Sequence, residues 1–558
     1  MMNEHPESSA MKMPCIAWTS VCLILFGLFV GGNARGEAAA GSFAGIVSAA
    51  TPEAVASGVE ILESGGNAID AAVAVSFALA VTEPAGSGLG GQAFFLVQDP
   101  GQEPFVISGT SLAPGSLPAN LTRADLEGRR SSTVPSLVRL LEYAWKHHGS
   151  GRVSWGRLLQ PAIRFAEEGY ALGHFRYLSL LLYAHQLRTD PATAKLFLLP
   201  GGEPPQMRSL IKNPALARTL KRLTRAGASD FYKGEIAREI AADMKRHNGW
   251  ISLDDLRSMP EPIKVPALKG TYRGWDVHSL PPPTGGWEVL QALNILGQAP
   301  QADLKTPTDR RYIWLAEALR ITHRNRRKAP VSDLINYDRE VAEKIKKQKA
   351  LQLMDRVRRP GSGETTHFSI VDGKGMAVGV SQSLNSYFGA KVVNGRLGFL
   401  YNDYMSEFML KKPTHPFALR PRGIPYSSMS ATLLSRNGKP ALLVGSPGSQ
   451  RIISAVVQVI SHWVDVGRGI EAAVSTPRLH VEPRDRLYLE SRQMRIPPSL
   501  LLKMERRGYD IVRPLSSLYR GNLNPYFGGV HAVALEAAGW RGAADPRRDG
   551  TVGYAWLR

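Results

Sequence analysis

The chain has 558 residues, 44% hydrophobic and 21% charged, which is ordinary globular usage with room for one large core or two to three smaller ones. Its two cysteines, Cys15 and Cys22, both lie in the first segment, so a chain trimmed of that segment has no disulfide, no thiolate metal site and no cysteine nucleophile. The formal charge of +20 raises nucleic acid as a partner, but the basic residues are spread along the chain. They cluster only at Arg324–Lys328 and Lys344–Arg359, without zinc-finger spacing, an RNP-like aromatic motif or a heptad-bearing basic region. These clusters read as solvated helix faces and a linker, and no specific nucleic-acid partner is expected.

At the front, a polar stretch with Lys12 precedes the apolar run Val21–Val30 and then the small-residue flank GGNARGEAAAG. That order reads as a secretory signal over residues 1–36, with cleavage near Ala34 or Gly36 and a periplasmic or secreted product. The alternative is an uncleaved membrane anchor over Cys15–Gly32. The strand-like GIVSAA follows, then a helix Pro52–Leu62 closed by Gly65 and Gly66, and a helix Ala68–Val81 that is apolar almost all round and therefore buried. Gly86, Gly88 and Gly91 satisfy the spacing of a dinucleotide fingerprint, but a helix precedes them and the strand AFFLV follows, the reverse of the order such a site needs. They read instead as a tight turn or close-packed backbone.

Helical periodicity dominates from Val134 to Gly173 and continues to about Asn248, with an N-cap at Ser252. Tyr272–Gly286 reads as a strand ending in three prolines and a glycine pair, followed by helices Glu288–Leu296 and Asp309–Arg326. After Thr365 the texture turns to strands and turns, with a helix over Ser449–Val466. The chain thus divides into a helix-rich first part and a strand-rich second part.

At that boundary, GSGETTHFSIVDGKGMAVGV runs from Gly361 to Val380. Strand Thr365–Asp372, loop Gly373–Gly375 and strand Met376–Asn385 have the signature of a hairpin. A three-residue loop sets Asp372 opposite Met376, and counting back sets Thr365 opposite Ser383, at the roughly 5 Å spacing of an antiparallel pair. A threonine hydroxyl needs an adjacent base to act as a nucleophile. If the chain were cut before Thr365, the freed α-amine, with a reference pKa near ~7.7 to 8, would lie within one residue of that hydroxyl. A glycine-rich lead-in suits such a cut, because the loop must reach a strained geometry and then leave. Strand propensity alone also accounts for a threonine pair here. His367 follows on the same strand and reads as a packed or hydrogen-bonding histidine, since it has no partner at metal spacing; no metal or other cofactor is expected.

Several long stretches, in order, resemble the γ-glutamyltranspeptidases, members of the N-terminal nucleophile hydrolases. They are Ser57–Gly91, YRGWDVHSLPPPTGG, Glu364–Gly389, PYSSMSAT (Pro425–Thr432), GSPGSQRII (Gly445–Ile453) and AADPRRDGTVGY (Ala543–Tyr554). The resemblance implies an α+β fold, a four-layer αββα sandwich built from two subunits of one self-cleaved chain. It implies cleavage between Glu364 and Thr365, giving a large subunit, 37–364, and a small one, 365–558. Thr365 would be nucleophile and α-amine base, and Ser383 would orient the amine. The amides of Gly448 and Ser449 would form the oxyanion hole, a task suited to a loop running into a helix at Gln450, where Ser449 also reads as an N-cap. Asn385, Glu407, Ser427 and Ser428 would bind substrate, Glu407 through the substrate ammonium and the two serines through its α-carboxylate.

Two departures bear on the substrate. The family's carboxylate-clamping arginine aligns with Thr110, and a hydroxyl does not replace a bidentate guanidinium. Tyr404 stands where the family has a smaller polar residue. Arg420 or Arg422 is the sequence candidate for a substitute cation. The leading expectation is an exported γ-glutamyl hydrolase or transferase acting on glutathione or another γ-glutamyl amide, with water or an amino acid as acceptor. The alternatives are a cephalosporin-acylase-like amide acylase with a non-glutamyl acyl group, or a non-catalytic secreted binding protein.

Overall fold

The computed structural model describes residues 42–328, 331, 336–346, 364–482, 484–490, 497–512 and 523–557. The expected signal segment and the glycine-rich lead-in before Glu364 lie outside the described residues.

Two antiparallel sheets carry the architecture. The seven-stranded sheet runs, in spatial order, Thr551–Leu557, Ser42–Ala49, Glu364–Asp372, Ala377–Asn385, Gln92–Gln98, Phe105–Gly109 and Ile263–Pro266. The six-stranded sheet runs Gly539–Ala544, His531–Glu536, Lys439–Gly445, Thr432–Arg436, Trp275–Ser279 and Leu268–Tyr272. Alternation along each strand decides what each face meets. On strand Glu364–Asp372, Phe368 and Ile370 pack with helices Pro52–Glu63, Ala68–Thr82 and Trp155–Glu168, while Val371 joins Leu433, Leu443 and Val533 of the other sheet. The outer face of the six-stranded sheet, through Leu434, Leu442 and Val444, packs on helices Gly286–Leu296, Asp309–Lys328 and Arg451–Val464. The layers are therefore helix, sheet, sheet, helix, as the resemblance implies.

Helix Ala68–Thr82 is buried along its whole length, matching its all-round apolar sequence, and it begins with a capping box between Asn67 and Asp70. Ser252 caps Leu253–Arg257, accepting from the Asp255 amide at 3.1 Å. Most helices do precede Glu364, but both sheets draw strands from the two parts. Four strands of the first sheet and two of the second come from residues before Glu364, and Phe105–Gly109, Ile263–Pro266 and Leu268–Tyr272 have too few residues for a readable period. The Arg324–Lys328 run is not simply a solvated face either: Arg324 pairs with Asp485 at 2.6 Å and Arg326 turns toward Glu288.

Candidate active site

The hairpin expected from the sequence is present. The loop is closed by the Asp372 amide donating to the Met376 carbonyl at 3.1 Å, with Gly375 at φ +91°. Pairing continues in register from Val371 with Ala377 to Thr366 with Gln382, and then shifts by one, so that Glu364 pairs with Asn385. Between these points Thr365 and Ser383 stand across from each other with both side chains turned toward the second sheet. Thr365 Oγ1 donates to Ser383 Oγ at 3.4 Å. Ser383 Oγ donates to the Glu364 carbonyl at 2.7 Å and accepts from the Asn385 amide at 2.7 Å. One hydrogen and two lone pairs are then all in use. In the uncut chain Ser383 thus links the Thr365 hydroxyl to the carbonyl of the Glu364–Thr365 bond. The register shift brings this about, because it turns the Asn385 amide back onto Ser383 with Asn385 at φ +82°.

The glycine-rich loop before the second strand is a cradle for this hairpin. A Cβ on Gly86 would stand 3.3 Å from the Thr365 carbonyl oxygen, and one on Gly91 would run into the carbonyl of Ser383. Leu384 donates to the Gly86 carbonyl at 3.3 Å. The close-packed reading of these glycines is borne out, and its physical reason is the backbone approach of two strand ends.

Glu364 points the opposite way, into the helical layer. Its carboxylate pairs with Arg548 at 2.6 Å, both side chains 1% exposed, and Arg548 lies over the Phe175 ring. Glu83 lies beside them. Burial raises its carboxyl to about 7 against the pull of Thr366 and Arg548. The two threonines therefore serve different faces: Thr365 looks between the sheets, and Thr366 looks at Glu83.

Strand Lys439–Gly445 brings the second component. Gly445 lies under the His367 ring, where a side chain would collide with the imidazole. That ring is wedged between Ser381 and Ser369, each 3.0 Å from a ring nitrogen, and burial holds its pKa well below the usual histidine value. The chain then turns through Gly448 at φ +118° and Ser449 at φ +56° into helix Arg451–Val464. Neither the Gly448 nor the Ser449 amide donates to an acceptor among the described residues. Two consecutive N–H groups free at such a turn can receive a developing oxyanion. Ser449 does not cap the helix: Gln450 holds the cap position, and no side chain bonds there.

The remaining candidates gather on the strips after the hairpin and before strand Thr432–Arg436. Asn385 Nδ2 donates to Ser406 Oγ at 3.0 Å, and Asn385 also neighbours Glu407, whose carboxyl is raised by burial against the pull of Arg326. Ser427 and Ser428 are held by the triple-proline turn. The Ser427 amide donates to the Pro283 carbonyl at 3.1 Å, next to the cis Pro282–Pro283 bond, and Gly285 donates to the Met429 carbonyl at 3.0 Å. Tyr404 is buried with Ser383, Gln92 and Ser427 about its phenol, which burial pushes up to about 12. It thereby connects the nucleophile side to the serine pair.

Thr110 turns its hydroxyl to the Ser111 carbonyl at 3.4 Å. The substitute cations named from sequence are corrected: Arg420 and Arg422 are exposed, and Arg422 donates to Ser258 at 2.6 Å. The cation beside the serine pair is Arg326, with Nη2 at 3.2 Å from Ser428 Oγ. Sequence reasoning also missed Glu83, Gln92 and Arg548. Glu83 and Arg548 had a signal, their places in the family-like Ser57–Gly91 and AADPRRDG stretches.

The chain is similar over most of its length to known proteins. The chain is 30% identical to the glutathione hydrolase proenzyme of Escherichia coli (strain K12), covering 91% of this chain and 92% of that one. It is also 30% identical to the acylase ACY 1 proenzyme of Pseudomonas sp. (strain V22), covering 91% and 93%. Among solved structures, cephalosporin acylase from Bacillus halodurans superposes with a TM-score of 0.82 at 26% identity, covering 95% of this chain and 100% of that one. The γ-glutamyltranspeptidase of Helicobacter pylori gives 0.51 at 30% identity, over 56% and 90%. The family model described as gamma-glutamyltranspeptidase matches residues 54–555, and on that span the chain belongs to the γ-glutamyltranspeptidase family.

Proposed function

We propose that this chain is a self-processing enzyme that cuts itself before Thr365 and then hydrolyses or transfers γ-glutamyl groups of glutathione-like amides through a threonine acyl-enzyme. The observation that carries this reading is the bond series from Thr365 Oγ1 to Ser383 Oγ to the Glu364 carbonyl. In the first step Thr365 Oγ1 attacks the Glu364 carbonyl carbon and the C–N bond breaks. The hydroxyl proton passes to the departing nitrogen, and an ester joins the two pieces. Ser383, already donating to that carbonyl, supports the charge that develops on its oxygen. Water then hydrolyses the ester, leaving a Glu364 carboxylate and a Thr365 with free amine and hydroxyl.

In turnover the new α-amine takes the hydroxyl proton as Thr365 attacks the donor's γ-carbonyl, and Ser383, released from the Glu364 carbonyl, is placed to orient that amine. The free amides of Gly448 and Ser449 receive the oxyanion. The leaving amine departs with the proton, and water or an amino acid resolves the acyl-enzyme. Asn385 and Glu407 take the substrate ammonium side, and Ser427 and Ser428 its carboxylate. The large piece, 37–364, and the small one, 365–558, share one fold. Export through the N-terminal signal is part of the same proposal, tested by the N-terminus and compartment of the mature protein.

The decisive experiment is a denaturing gel of purified wild type and Thr365→Ala, with turnover of a γ-glutamyl anilide by each. Two fragments with a new N-terminus at Thr365 and activity in wild type alone are expected; an active, uncut chain overturns the reading. Thr110, together with the acylase likenesses, favours a second reading as an amide acylase with another acyl group. That reading takes over if kcat/KM for a γ-glutamyl anilide equals that for the matched 4-aminobutyryl anilide, which lacks only the α-carboxylate.

A further inference from the structure

We propose that Arg326 is the positioning residue through which this site reads a donor carboxylate, acting on it by way of Ser428, and that Glu288 sets how strongly it is read. The inference rests on the assignment of Ser427 and Ser428 to that carboxylate under the proposed function. Position 110 offers only a hydroxyl committed to its own neighbour's carbonyl, and Arg420 and Arg422 are exposed, with Arg422 bonded to Ser258. Arg326 comes instead from the last turns of helix Asp309–Lys328 and lies with its guanidinium 4.0 Å from the Tyr426 ring centre, two residues before Ser428.

Its Nη2 donates to Ser428 Oγ at 3.2 Å, and its Nη1 is buried without an acceptor among the described residues. A serine hydroxyl that accepts from a guanidinium keeps its own hydrogen to give away, and the cation behind it strengthens that donation. The serine is thereby held as a donor toward an anion. Arg326 need not touch the anion itself, which fits a side chain only 16% exposed.

Glu288 tempers this. It is wholly buried on helix Gly286–Leu296, accepts from Tyr426 Oη at 2.6 Å, and lies 3.4 Å from Arg326 Nε through the same oxygen. Its other oxygen has no hydrogen-bond partner among the described residues and lies 3.8 Å from the His323 ring, which burial keeps neutral by lowering its pKa to about 3. A carboxylate this close neutralises much of the guanidinium's field at Ser428. The site therefore reads a carboxylate through a hydroxyl backed by a paired cation, which is a weaker reader than an arginine bonded to the anion directly.

The test is the ratio of kcat/KM for γ-glutamyl 4-nitroanilide over 4-aminobutyryl 4-nitroanilide, measured on self-cleaved wild type, Arg326→Gln, Arg326→Lys and Glu288→Gln. Wild type is expected to prefer the carboxylated donor about tenfold. Arg326→Gln is expected to lower that ratio to near one, mainly through KM of the γ-glutamyl donor, with Arg326→Lys recovering part of it. Glu288→Gln keeps an acceptor for Tyr426 and removes the opposing charge, so the ratio is expected to rise severalfold. A parallel fall of both donors in Arg326→Gln, a wild-type ratio near one, or a Glu288→Gln ratio equal to wild type each overturns the proposal. Should Arg326→Gln not fold, Arg326→Lys and Glu288→Gln still decide it. A chain that never cuts itself ends the reading of Thr365 beneath the proposal, whereas a cut, active enzyme with unmoved ratios ends this proposal alone.

Discussion

The Thr365 hairpin and the strip that carries Ser427 and Ser428 lie on either side of Tyr404 but are held together in different ways. The hairpin is built from neighbours: 18 residues separate Thr365 from Ser383, and a continuous ladder joins them. The serine strip is built from strangers: Arg326 is 102 residues from Ser428, and Tyr426 reaches Glu288 across 138. The chemistry proposed to cut the chain is local and matches its family's pattern closely. The chemistry proposed to choose the substrate is assembled from distant pieces, and there the pattern departs, at Thr110 and Tyr404. A site can keep its reaction and change its reader because different parts of the chain supply them.

Substitutions on the two sides should therefore behave differently. The largest effect is expected of Thr365→Ala, which removes the proposed nucleophile: no fragments on a gel and no measurable turnover, while the fold persists by circular dichroism. Arg548→Met comes next. It strands the fully buried Glu364 carboxylate, a change that costs about 3–5 kcal/mol when one partner of a buried pair is lost. The uncut chain is expected to melt earlier and to cut itself more slowly, followed as a gel time course. An unchanged time course would show that the Glu364 clasp plays no part in presenting the bond.

A pH comparison isolates Glu83, behind the hairpin. Burial raises its carboxyl from 4.5 to about 7, so between those values the folded chain holds a proton that the unfolded chain has lost. The sign follows: wild-type stability falls as pH rises from 4.5 toward 7, and the full cost is present above that. Glu83→Gln is expected to match wild type near pH ~4 and to exceed it at pH ~8, by up to about 3 kcal/mol, read from denaturant midpoints at the two values. Equal differences at both would place the effect in packing instead.

Ser383→Ala belongs to the hairpin alone. It removes one hydrogen bond to the Glu364 carbonyl and is expected to slow self-cleavage by about tenfold to a hundredfold, the weight of about 1–3 kcal/mol. The smallest expected effect is that of Ser449→Gly. A serine at φ +56° carries a left-handed cost of about 1 kcal/mol that glycine does not, so Tm should rise by a few degrees at most.

Local sequence rules sufficed for the Thr365–Asn385 hairpin, its loop, the facing of Thr365 and Ser383, the buried helix Ala68–Thr82 and the close packing of the Gly86–Gly91 loop. Strand period, turn chemistry and glycine's lack of a side chain act over a few residues, so counting suffices. Packing of distant segments set the one-residue shift that links Ser383 to the Glu364 carbonyl, the pairing of Glu364 with Arg548 across 184 residues, and the placement of Arg326, rather than Arg420 or Arg422, beside Ser428. A basic residue in a run of basic residues looks the same whether it faces water or a buried carboxylate. What separates them is which distant acid the packed layers bring within reach, and no local spacing encodes that.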